Sequence, residues 1–339
     1  MQKRHTLILF YFIFCSCGYF SSSTSSHGSS NVDKFPELAS VNSQIEKSPK
    51  NASLLYQRGM ILSKLKQDSL AILDFQNAIK IDSNKADYYS AIGNILFEHK
   101  DIAGSAVWLA KAVALNPSDE MAHLKMAKLF LYTGEYPKAF TEINTVLRGN
   151  VYNPEAYFLK GMCYKNMKDS NKAISSFQTA VQTDPKYADA YMQLALIYQA
   201  KKDPVSLRYF ENAYQADTSN LESLYGAAMY WQDQEKFAEA KKVFTRIVYI
   251  DRQYPKAFFN MGWMLLQEDS TEKAIRQFDI AIQVKPDYAE AYYNRGLCYE
   301  IRNEKTQAIA DYKQALIFSP DFALCKTALQ RVQMQNPKL

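Results

Sequence analysis

A small residue returns along this chain at a fixed interval. Stepping back 34 residues at a time from Gly296, in "AEAYYNRGLCYE" (289–300), reaches Gly262 and Ala228; one step of 33 reaches Ala195. Further steps of 34 reach Gly161, Ala127, Gly93 and Gly59. A glycine inside a helix costs about 1 kcal/mol relative to alanine, so close packing has to offset it. Other positions keep the same step. With Gly296 as position 8, position 20 reads Ala71, Ser105, Ala139, Ala173, Ser206, Ala240, Ala274 and Ala308. Position 24 reads Phe75, Leu109, Ile143, Phe177, Phe210, Phe244, Phe278 and Tyr312. Position 27 is small or β-branched (Ala78 to Ala315), and Pro117, Pro185, Pro286 and Pro320 share position 32. The fifth unit lacks one residue, placed here in the turn near "KKDPVS" (201–206).

Small side chains at positions 8, 20 and 27 let two antiparallel helices approach, and the bulky residue at 24 fills the space beside them. Proline at 32 ends the second helix. This pattern resembles the tetratricopeptide repeat, a 34-residue helix–turn–helix unit. The resemblance implies an all-α fold, a right-handed superhelical solenoid of antiparallel helix pairs. Eight repeats are predicted at 52–85, 86–119, 120–153, 154–187, 188–220, 221–254, 255–288 and 289–322. One unit cannot bury its apolar face alone, so the array needs covers at both ends. Residues 35–51 read as a lone second helix acting as an N-terminal cap, and 323–335 as a C-terminal cap helix.

The chain opens "MQKRHTLILFYFIFCSC", with Lys3 and Arg4 before an apolar run, Thr6–Phe14. That layout is a secretory signal, too short to span a bilayer as a helix. Its end resembles a bacterial lipoprotein signal, with Ser16 before Cys17 as the acylated residue. The expectation is a signal peptide at 1–16, a Ser-rich flexible tether at 17–34, and a membrane anchor through lipid at Cys17. The protein is then exported to the cell envelope and faces the periplasm. A cleaved signal releasing a soluble periplasmic or secreted protein is the first alternative, and an uncleaved anchor the second.

Net charge is +5, or +3 once Lys3 and Arg4 are set aside, which does not suggest a nucleic-acid footprint. The four histidines show no ligand spacing, and GxGxxG, GxxxxGK[ST] and GxSxG are absent. Cys163 and Cys298 share position 10 with Ile61, Ile95 and Leu129 and read as core fillers. No cofactor, metal or catalytic group is expected.

In tetratricopeptide arrays the first helix of each unit lines a concave face, through positions 2, 5, 9 and 12. Position 5 includes Tyr56, Phe158, Met192, Tyr225, Phe259 and Tyr293. Position 9 includes Met60, Met162, Leu196, Met229, Trp263 and Leu297, where family members often carry a polar residue. These twelve side chains are the predicted peptide-binding groove. Position 2 adds an acidic margin: Asp87, Glu155, Asp189, Glu222 and Glu290. Packing between neighbouring first helices is the competing reading of the apolar residues. A Lys and Asn clamp for acidic tails is not supported, and Asn260 and Asn294 at position 6 read as helix-surface or repeat-consensus residues.

The expected function is a non-enzymatic scaffold that binds a protein or peptide partner. Alternatives are the non-catalytic arm or assembly subunit of an envelope enzyme complex, and a structural protein that pairs with copies of itself as a homo-oligomer.

Overall fold

The computed structural model describes residues 35–334, and those residues are all-helical, without strands. The expected signal peptide at 1–16, the whole of the expected tether at 17–34, and Cys17 lie outside the described residues.

Two compact units divide the chain, one ending at His99 and the other beginning at Lys100. The first contains α1 (Pro36–Lys47), α2 (Ala52–Lys64), α3 (Asp68–Ile81) and α4 (Ala86–Glu98). The second runs α5 (Ile102–Leu115), α6 (Glu120–Tyr132), α7 (Tyr136–Gly149), α8 (Pro154–Asn166) and α9 (Ser170–Thr183). It continues α10 (Ala188–Ala200), α11 (Val205–Ala216), α12 (Glu222–Asp233) and α13 (Phe237–Ile250). It ends α14 (Pro255–Gln267), α15 (Thr271–Val284), α16 (Ala289–Ile301), α17 (Lys305–Phe318) and α18 (Ala323–Met334). Within each unit every helix packs on the next in sequence, with the closest pairing inside a repeat.

Local signals set these boundaries. Asn51, Asp101, Asp119, Asn153 and Asp169 cap helices by accepting backbone N–H bonds from the first turn. Pro154 and Pro255 stand at first helical positions, where their missing N–H costs nothing. At position 31, Asp82, Asn116, Asn150, Asp184, Asp217 and Asp251 each accept from the N–H two residues on. Such Asx turns redirect the chain between repeats.

Position 15, two residues after the first helix, adopts the left-handed conformation in every repeat. Its φ is 59° at Lys66, 63° at Lys100, 76° at Gly134, 63° at Lys168 and 56° at Lys202. It is 57° at Glu235, 54° at Asp269 and 60° at Asn303. The following N–H returns to a carbonyl five residues back, as from Asp169 to Tyr164 at 2.9 Å. This is the helix-ending motif that glycine usually serves, yet only Gly134 provides one.

The recurring glycines are packing sites. A Cβ on Gly59, Gly161, Gly262 or Gly296 would come within 2.5–2.7 Å of the position-24 ring of its own repeat (Phe75, Phe177, Phe278 or Tyr312). Glycine there makes room for the ring itself. Those rings and the position-20 and position-27 alanines are fully buried.

The shortened fifth repeat loses its residue from the first turn of its second helix. The turn Lys201–Asp203 keeps its usual length; Pro204 then precedes α11, which has 12 residues where other second helices have 14.

Both ends carry polar residues at packing positions. In α1, positions 20 and 27 are Glu37 and Gln44, both exposed; in α18, position 8 is the exposed Gln330. The remaining faces stay apolar: Leu38 and Val41 of α1, and Cys325, Ala328 and Val332 of α18, are buried. Terminal helices of this kind close a stack.

Candidate protein-binding surface

Each position-5 aromatic is held by two other rings. Phe158 lies between Phe177 (5.7 Å between centroids) and Tyr187 (5.3 Å). Tyr225 lies between Phe244 (5.9 Å) and Tyr254 (6.0 Å), and Phe259 between Phe278 (5.9 Å) and Tyr288 (5.1 Å). Tyr293 lies between Tyr312 (5.9 Å) and Phe322 (4.9 Å). In four repeats the partners occupy positions 24 and 34, so one ring links the helix pair to the turn that follows. Tyr56 instead touches Phe75 and Tyr88, at 5.6 and 5.1 Å. Aromatic contacts of this geometry stabilise beyond simple burial.

Position 9 lies one helical turn further along the first helix, on the side shared with position 5. Met60 and Leu196 are exposed, at 38% and 40%, and Met162, Met229, Trp263 and Leu297 are half-buried. Met192 and the five position-5 aromatics are also half-buried. None of the twelve predicted groove residues is fully buried. Met162 and Met192 pack on one core cluster, Met229 and Trp263 on a second, and Leu297 on a third.

The acidic margin is only partly free. Glu155 pairs with Lys128, the position-9 residue of the preceding repeat. Glu222 accepts from the Tyr254 hydroxyl at 2.8 Å and from Lys256 at 3.1 Å. Burial and that carboxylate push the Tyr254 phenol well above its ordinary value. Asp189 and Glu290 remain exposed. Asn260 is buried rather than on the helix surface: its amide donates to the Tyr225 hydroxyl (3.2 Å) and the Lys256 carbonyl (2.8 Å). It therefore ties two repeats together. Asn294 donates to the Glu290 carbonyl at 2.8 Å.

Cys163, Cys298 and Cys325 are free and buried, and burial pushes their thiols up to about 11, about 12 and about 11. Such thiols are poor nucleophiles at neutral pH. His123 is buried, with Nδ1 at 2.5 Å from Glu142 and Nε2 at 3.0 Å from the Pro117 carbonyl. His99 contacts Asp68 at 2.8 Å. Among the described residues no His, Cys, Asp and Glu cluster could hold a metal ion, and no helix is long and apolar enough to cross a membrane.

One feature of this surface was not read from the sequence. Trp263 meets Phe237 of the preceding repeat at 6.0 Å, with the rings 85° apart. Both stand beside the turn 233–236. Phe237 opens a second helix at position 17, and no first-helix register points to it.

Comparison with known proteins supports the repeat. Tetratricopeptide-repeat models match residues 52–85, 154–187 and 289–322, and a TPR-repeat model matches 262–300. The chain carries tetratricopeptide repeats. It is 27% identical over 131 residues to anaphase-promoting complex subunit 3 of Schizosaccharomyces pombe, covering 39% of this chain and 20% of that protein. It is 25% identical over 228 residues to the human protein O-mannosyl-transferase TMTC3, covering 65% of this chain and 25% of that one. The chain thus spans a quarter or less of either relative. The C-terminal part of a TPR repeat-containing protein from Cytophaga hutchinsonii shares the fold, with a TM-score of 0.58 at 17% identity over 70% of this chain and 98% of that one.

Proposed function

We propose that this protein is a non-enzymatic interaction scaffold that holds a peptide or helix of a partner protein against the first helices of its repeats. The supporting observation is the consecutive position-9 row Met162, Leu196, Met229, Trp263 and Leu297, every member of which keeps accessible surface. Methionine and aromatic side chains in such a row adapt to an amphipathic helix or an extended apolar segment. The position-5 rings serve as the rigid floor beneath them. The sequence of the leader supports export and lipidation at Cys17, which places the scaffold at the cell envelope on the periplasmic side.

Photo-crosslinking tests the binding face. A photoreactive residue at Leu196 or Leu297 is expected to yield partner adducts in native membranes, and one at the outward Val107 is not. Equal labelling from all three positions would remove the first-helix surface as the binding face. Mass spectrometry of the mature N-terminus tests the location: an acylated Cys17 is expected, and an unmodified N-terminus beyond it would replace the anchor with simple secretion.

The match to part of TMTC3 favours a second reading, in which the repeats form the non-catalytic arm of a larger enzyme assembly. A glycosyl-transferring activity that co-purifies with the crosslinked partner would distinguish the arm from a free-standing scaffold.

A further inference from the structure

The turn closing the first helix of the sixth repeat forms a cavity of about 430 Å³ with the next repeat. Its walls are Phe237 and Trp263, standing nearly perpendicular, with Gln232, Asp233, Glu235 and Gln267 around them. Three independent observations there favour a cation with hydrogen-bond donors. First, Asp233 and Glu235 are exposed, and neither makes an ion pair among the described residues. The nearby lysines are engaged elsewhere: Lys236 lies over the Trp231 ring at 5.1 Å, and Lys241 bonds Glu268 at 2.8 and 2.9 Å. Second, the Gln232 amide oxygen is buried with no hydrogen-bond partner, an acceptor without a donor. Third, Asp233 is the last residue of α12 and Glu235 follows at φ 57°. Both carboxylates therefore stand at the negative end of the helix dipole, where acids are unfavourable and cations favoured.

We infer that this cavity is a subsite for an arginine side chain of the partner protein. A guanidinium is planar and stacks on aromatic faces, and its five N–H donors suit two carboxylates and an amide oxygen. The inference deepens the scaffold reading and rests on it, because Trp263 belongs to the same position-9 row.

The test uses the full chain labelled at tryptophan with ¹⁵N, with the Trp263 indole signal assigned through Trp263→Phe. N-acetyl-arginine amide is titrated against its neutral counterpart N-acetyl-citrulline amide and against N-acetyl-lysine amide. A saturable shift of the Trp263 indole N–H is expected with the arginine probe. Binding is expected to weaken about fivefold or more with citrulline, with lysine, and in the Asp233→Asn/Glu235→Gln variant. Both substituted side chains are exposed and unpaired, so the variant should keep the wild-type circular dichroism spectrum and melt no lower than wild type. Equal binding of citrulline or lysine, an unshifted indole, or undiminished binding by the double variant would overturn the assignment. Any of those results leaves the crosslinking outcome at Leu196 and Leu297 unaffected, so failure of this subsite is distinguishable from failure of the scaffold reading.

Discussion

The ring of Phe210 lies against Gly226 of the next repeat, where an added Cβ would stand 2.3 Å from the nearest ring carbon. In the first, fourth, seventh and eighth repeats such a ring rests on a position-8 glycine of its own repeat. The fifth repeat has Ala195 at that position, and its ring is accommodated by a glycine in the following first helix instead. Gly226→Ala should therefore overpack a fully buried ring and cost about 1–3 kcal/mol. Gly149→Ala is the control. Nothing lies within 4 Å of its added Cβ, so it should stabilise by about 0.4–1 kcal/mol through the unfolded chain. Hydrogen exchange of the α11 and α12 amides reports the first change locally. Unchanged protection in Gly226→Ala would show that the ring has another place to go.

The left-handed residues at position 15 make a second expectation. A non-glycine residue in that conformation costs about 1–2 kcal/mol, and glycine is largely free of the cost. Lys168→Gly and Lys202→Gly should each raise stability, by about 0.5–1 kcal/mol after the extra entropy of an unfolded glycine. Gly134→Ala should lower it by a similar amount. Urea unfolding of each variant checks the sign; a loss in both lysine variants would mean that their side chains contribute more than their backbone costs.

Much of the helical register was legible in the sequence, because the residues that make it are small or apolar and recur in phase. Gly59, Gly161, Gly262 and Gly296 could be placed without coordinates, since only a close helix crossing explains a repeated helical glycine. What escaped was chemistry whose partner lies in another helix. Arg58 and Arg295 both stand at position 7, and Asp74 and Asp311 at position 23, yet the intervening repeats carry mostly apolar residues at position 7 and no aspartate at position 23. The repeat average hides such a pair. Gly226 was equally invisible, because it lies at position 6, out of phase with the other glycines, and compensates for a neighbour's alanine. At the candidate surface the position-5 and position-9 residues could be named. Their mutual packing could not, because the rings that clamp position 5 come from positions 24 and 34. The cavity beside Trp263 depends on a turn from the preceding repeat, and a first-helix pattern contains no signal for it.

The Arg295–Asp311 pair supplies a third expectation. The guanidinium donates to both Asp311 oxygens, at 2.7 and 2.8 Å, and to Asp279 at 2.6 Å. Arg58 repeats the arrangement on Asp74, at 2.7 Å twice, with Asn42 of α1 accepting at 3.2 Å where Asp279 stands in the other copy. Burial pushes the Asp311 carboxyl up, and Arg295 opposes that shift. Arg295→Met would leave a buried carboxylate without its cation and should cost about 3–5 kcal/mol. Adding Asp311→Leu should recover much of the loss, because the charge is removed with its partner. Thermal unfolding of the single and double variants measures both. A double variant no more stable than the single would mean that the arginine acts by packing alone.

Glu300 gives the pH dependence of the C-terminal repeat. Its carboxylate accepts two N–H bonds from Arg331, at 2.7 and 2.8 Å, and the Tyr312 hydroxyl at 2.7 Å. The Arg331 bonds hold it below the ordinary glutamate value of 4.5, with the tyrosine adding to the effect against partial burial. Glu211 is held down in the same way, first by Arg246 and then by Gln215. A carboxyl whose folded value is depressed binds fewer protons folded than unfolded, so its contribution is present above the unfolded value and is lost as pH falls through the folded one. Stability should therefore be flat with respect to these groups near neutrality and decline below about pH 4.5. Arg331 is about half exposed, so solvent screening limits the Glu300 contribution to about 1 kcal/mol. Glu300→Gln should reduce stability at pH 7 by that amount and leave a shallower acid limb, with wild type and variant converging at low pH. Urea midpoints measured from pH 7 to pH 3 would show the convergence; parallel curves across the whole range would mean that Glu300 titrates alike in the folded and unfolded chains.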